Sequence, residues 1–143
     1  MIQPEALLLL LRVTGWSLVA LGLAHAPFWR VFGWAEEYKR LSPLNARVFA
    51  VHVFFIALVL VMVGALLAAK PALLLAPGEL PRLFLGGLTV FFGLRLLAQP
   101  LVFDPVLAVG HRLRTPLRIA ANLTWIFYTS LFAFALALQS RAV

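Results

Sequence analysis

The chain contains no cysteine, which excludes disulfides, thiolate nucleophiles and thiolate metal sites. Acids are nearly as scarce: five Asp and Glu stand against twelve Lys and Arg in 143 residues, for a net charge of +7. Charged residues make up only 12% and hydrophobic ones 64%, and the mean hydropathy is +1.02. A soluble domain of ordinary composition is excluded by these proportions. Also missing are a phosphate loop, a nucleophile–base pair and a carboxylate dyad at recognisable spacing. The basic excess would suit nucleic acid if it were clustered. It is spread over the connections between apolar runs, where it sets topology and meets anionic lipid headgroups, so membrane lipids and not nucleic acid are the expected partners.

What is present is apolar length. A hydrocarbon core of ~30 Å asks about 20 mainly apolar residues of each helix that crosses it, and residues 6–24, 48–69, 83–102 and 117–138 meet that demand. The expected fold class is all-α, a four-transmembrane-helix bundle forming a single integral membrane domain over residues 1–143. The "LAHA" stretch places Ala24 and Ala26 in a cleavage-like pattern, but "MIQPE" has no basic region and Arg12 interrupts the run, so the first segment reads as a retained span.

Punctuation marks the connections. "FWRVFGWAEEYKRLSP" puts Phe28, Val31, Phe32, Ala35 and Tyr38 at near-helical spacing, with Trp29 and Trp34 as interface anchors, and predicts a short helix lying in the membrane surface between spans one and two. Ser42-Pro43 then supplies an N-cap and a first helical residue for span two, and Thr115-Pro116 repeats the device before span four. "KPALLLAPGELPR" reads as an irregular loop. On the face that carries the first and third connections, here side A, lie seven basic residues (Arg30, Lys39, Arg40, Arg47, Arg112, Arg114, Arg118), against three on side B (Lys70, Arg82, Arg141). Side A is therefore expected to be cytoplasmic and both termini outside, in a cell inner membrane.

Polar groups concentrate in the side-A half. By the helical rise of ~1.5 Å per residue, His52 lies about 12 Å beyond Leu44, Asn122 roughly 9 Å beyond Pro116, and Arg95 about 13 Å short of Asp104. Asn45 and His52 are seven apart, Arg95 and Gln99 four apart, and Arg118, Asn122, Trp125 and Thr129 follow a four-three-four spacing, so each set shares one helix face. An ionisable group facing lipid at such depth is costly, and these stripes are expected to turn inward on a polar, net-positive layer.

Three functions fit that layer. Asn45, His52, Arg95, Gln99, Arg118, Asn122 and Trp125 would bind an anionic or polar amphiphile, such as a lipid headgroup, a carboxylate or a quinone, because guanidinium forks suit carboxylate and phosphate oxygens. The protein would do this alone, as a homo-oligomer or as a subunit of a larger membrane complex. Alternatively His25, His52 and His111, with Asp104 or Glu37, supply enough ligands for a metal ion in a metal-dependent membrane enzyme; bis-histidine haem fits poorly, since His25 ends a helix whereas His52 is about two turns into one. Thirdly, the stripe is structural glue in an accessory subunit, with small residues such as Gly15, Gly22, Gly86 and Gly93 letting helices approach.

"LSPLNARVFAVHVFF" and "FDPVLAVGHRLRTP" together resemble a group of small predicted bacterial membrane proteins with four spans. That resemblance implies the architecture over nearly the whole chain and no particular activity. "AHAPFW" and the Asn122/Trp125 pair look like fragments of emopamil-binding-like pockets, but the intramembrane acids of those pockets are missing here, and their function is not carried over.

Overall fold

The computed structural model describes residues 4–103 and 114–141. Every element among them is helical: α1 (Pro4–Val31), α2 (Trp34–Lys39), α3 (Pro43–Ala69), α4 (Ala72–Leu75), α5 (Glu79–Ala98), a π-helical turn (Gln99–Phe103) and α6 (Arg114–Arg141). Four stretches are long and apolar enough to cross a bilayer: Glu5–Val31, Pro43–Ala69, Glu79–Phe103 and Thr115–Ser140. The all-α, four-span class expected from composition is the class observed, with a short helix between the first two spans. At 25 to 27 residues each helix outruns the ~20 that hydrocarbon requires.

The chain divides into two compact units, Met1–Pro71 and Ala72–Val143. In the first, α1 and α3 form an antiparallel hairpin whose backbones touch. A Cβ built on Gly22 would lie 2.8 Å from the Ala57 carbonyl oxygen, and one on Gly64 would lie 2.6 Å from that of Gly15. Small residues at these positions let dispersion act between main chains, the usual basis of helix association in lipid. Gly86, expected to do the same, has nothing within 4 Å of its would-be Cβ, and that of Gly93 makes only an ordinary 3.8 Å contact with Thr129.

Gly33 sets the end of α1. Its φ of 69° is left-handed backbone, which glycine adopts without a Cβ penalty, and it stops the helix two residues before α2. The surface helix is therefore shorter than the sequence spacing predicts: Phe28, Val31 and Phe32 belong to α1 or its end, and α2 holds six residues. Aromatic contacts dock it, with Trp29 against Tyr38 at 5.1 Å and Trp34 against Phe49 at 5.5 Å between ring centroids. The Ser42 hydroxyl accepts a hydrogen bond from the Asn45 N–H at 3.4 Å with Pro43 in the first turn of α3, as its residue types dictate. Span four departs from that pattern, since α6 already includes Arg114 and so places Thr115 and Pro116 inside its first turn. The proline-rich second connection is partly ordered as α4, and α5 starts before Pro81, where a first-turn proline forfeits no helical bond.

The second unit is an antiparallel hairpin of α5 and α6 around Leu85, Leu88, Phe92, Tyr128, Leu131, Phe132 and Ala135, all buried. Gln139, near the end of α6, donates to the carbonyls of Leu74 at 3.2 Å and Ala76 at 2.7 Å, tying the turn before α5 to the end of the last helix.

A candidate anion-binding site

The second unit brings three of the expected polar residues into contact. The Gln99 side-chain oxygen, in a residue 1% exposed, accepts from the Arg95 guanidinium at 3.1 Å and from the Trp125 indole N–H at 3.3 Å. The Arg95 Cζ lies 4.6 Å from the Trp125 ring centroid and 4.4 Å from that of Phe103. Each such cation–π contact contributes on the order of 0.5–2 kcal/mol, more where water is excluded.

Phe103 reaches this position because of Pro100. Proline has no N–H for the preceding turn, and its ring crowds the carbonyl there; the wider π turn over Gln99–Phe103 accommodates both defects. Eight residues along a regular helix would leave Phe103 roughly 80° round from Arg95. The π turn advances less per residue and brings the ring over the guanidinium. In the sequence the signal was "LAQPLVF", a proline one residue after a polar side chain inside an apolar run.

The guanidinium thus sits on top of a ring column. Phe132 stacks on Phe92 at 5.5 Å and 25°, and Phe92 on Trp125 at 6.2 Å and 22°. Arg95 covers the far end of that column, and its side chain runs one to two turns along α5 toward side A, at the level of Gln99 and Phe103. Two rings and one hydrogen-bond acceptor engage the group. Among the described residues it forms no ion pair with a carboxylate: the pairs there are Lys39–Glu36 at 2.8 Å and Arg40–Glu37 at 3.9 Å, both on exposed α2. The described acid of the second unit, Glu79, is in the first turn of α5, about 24 Å from Arg95 by helical rise.

The remaining expected residues distribute as follows. Arg118 and Asn122 share the Trp125 face of α6, and the Asn122 amide donates to the Arg118 carbonyl at 2.9 Å, so part of its donor capacity serves its own helix. Asn45 and His52 belong to the first unit and are exposed. The imidazole Nδ1 of His52 meets the Val48 carbonyl and that of His25 the Leu21 carbonyl, each at 2.8 Å. A carbonyl only accepts, so Nδ1 carries the proton and the Nε2 lone pair points away from each helix. Asp104 and His111 lie outside the described residues. Among those described, no three His, Asp or Glu side chains gather in a way that could hold a metal ion, and Glu37 lies beside Arg40.

No family model, curated protein or solved structure matches the chain.

Proposed function

We propose that this multi-pass membrane protein binds the acidic end of an amphiphile at Arg95. The observation that carries the reading is a guanidinium held against the Phe103 and Trp125 rings and hydrogen-bonded to Gln99, with no carboxylate paired to it among the described residues. Among the described residues one of its five N–H donors has a protein partner, and the planar fork suits paired carboxylate or phosphate oxygens. Fixing it beforehand lowers the ordering cost of binding. Its position near the side-A end of α5 supports contact with a headgroup over contact with hydrocarbon alone.

The test is native mass spectrometry of the gently solubilised protein. Wild type should carry an acidic amphiphile that Arg95→Leu loses, while Arg12→Leu, an exposed change on α1, keeps it. Gln99 retains the Trp125 N–H in the Arg95 variant, so that variant leaves the buried acceptor satisfied. Equal losses in both variants would assign the Arg95 cluster to packing and leave the protein as a structural subunit.

A further inference from the structure

We infer that the acidic group is a phosphate monoester, a dianion, in preference to the monoanionic diester of common bilayer lipids. The inference rests on the reading of Arg95 as a ligand site and adds the charge and valence of the ligand. Arg118 is half-buried on α6 and lies seven residues from Trp125, hence on the same helix face, about 10.5 Å nearer the start of α6 by helical rise. Trp125 is in contact with Arg95, so the two arginines flank one end of the α5–α6 hairpin. The guanidinium of Arg118 has neither an ion pair nor a hydrogen bond among the described residues. Two positively charged side chains thus share one end of a unit whose described acid, Glu79, belongs to the opposite end.

A phosphodiester brings one negative charge and two terminal oxygens, enough for one fork. A monoester brings a charge of about −1.5 to −2 at neutral pH and three terminal oxygens, which serves both guanidinium groups together. Its second ionisation, near pH 6, also gives the preference a pH signature.

The experiment titrates delipidated full-length protein in detergent with dioleoyl phosphatidate, dioleoyl phosphatidylglycerol and inorganic phosphate, read by native mass spectrometry at pH 7.5 and pH 5. Phosphatidate should be retained roughly tenfold or more over phosphatidylglycerol at pH 7.5, the gain from one added charge-assisted hydrogen bond, and the ratio should shrink at pH 5. Arg118→Gln should bring the ratio to about one without loss of phosphatidylglycerol. Arg95→Leu should remove both lipids, and Arg95→Lys, which keeps the charge without the fork, should weaken both; thermal melting of each variant checks that it is folded. Equal retention of the two lipids by wild type, still dependent on Arg95, would overturn the monoester inference and leave the proposed function standing. Retention that no Arg95 variant alters would overturn both. Inorganic phosphate displacing phosphatidate at equal concentration would show that the phosphate arrives free and not on a lipid; failure to displace it supports the lipid.

Discussion

Gly64 of α3 faces Gly15 of α1 so closely that a Cβ on either would lie 2.6 Å from the carbonyl oxygen of the other. The atoms met are backbone, which cannot rotate aside as a side chain could. Gly64→Ala should therefore separate the helices and destabilise the first unit by about 1–3 kcal/mol, the usual range for an overpacked core. Gly86→Ala, in open space, should be neutral or stabilising by up to ~1 kcal/mol through helix propensity. Thermal melting in detergent distinguishes the two, and equal shifts would contradict the close crossing.

Trp125→Phe keeps a ring beneath Arg95 and removes the N–H that Gln99 accepts. The Gln99 oxygen still has the guanidinium, so the expected loss is that of one hydrogen bond, about 0.5–1.5 kcal/mol. Retention of the acidic amphiphile should fall less than in Arg95→Leu. A loss as large as that of Arg95→Leu would show that the indole N–H itself touches the ligand.

Pro100→Ala restores a backbone donor and removes the ring that crowds the preceding turn. Regular helix should replace the π turn, carrying Phe103 roughly 80° away from Arg95. The protein should melt at the same or a higher temperature yet hold its acidic ligand more weakly, because one face of the guanidinium is uncovered. Unchanged ligand retention would mean that Phe103 does not position Arg95.

The imidazoles of His25 and His52 present free Nε2 atoms, so metal binding has a direct check. With no three ligands gathered among the described residues, chelation should leave melting unchanged and elemental analysis should find no stoichiometric metal. Near-stoichiometric metal that disappears in His52→Ala would restore the metal-dependent reading.

The seven basic residues on side A against three on side B make cytoplasmic side A the expected orientation. A reporter active only outside the cytoplasm, fused after Val143, should be active. Activity of a cytoplasmic reporter at the same position would reverse the assignment.

How far these features were legible in the sequence depended on whether they left a local chemical mark. The spans were legible as apolar length, and the start of α3 as Ser42-Pro43. The grouping of Arg95 and Gln99 followed from a spacing of four, and that of Trp125 with Asn122 and Arg118 from spacings of three and seven. The contact face of α3 was not legible, because residues 48–69 are apolar all round and leave no periodic contrast; Gly64 became distinguishable only once Gly15 lay against it. Gly33 looks like any surface glycine until its φ is seen, so the aromatic spacing suggested one helix where there are two segments. Pro100 was visible, but that it would swing the Phe103 ring over Arg95 is a property of the helix it distorts. That the Asn122 amide donates to the Arg118 carbonyl of its own helix leaves no mark in the sequence.

The rings beneath Arg95 come alternately from the two helices: Phe132 from α6, Phe92 from α5, Trp125 from α6, then the α5 guanidinium. Like leaves interleaved from two books, they resist being pulled apart or slid by one position, because a shift of either helix by a single residue would break every layer at once. Rotation of α6 about its own axis is blocked in the same way. A load applied to Arg95 is therefore shared along the stack to Phe132, and the second hairpin moves as one stiff lever instead of twisting.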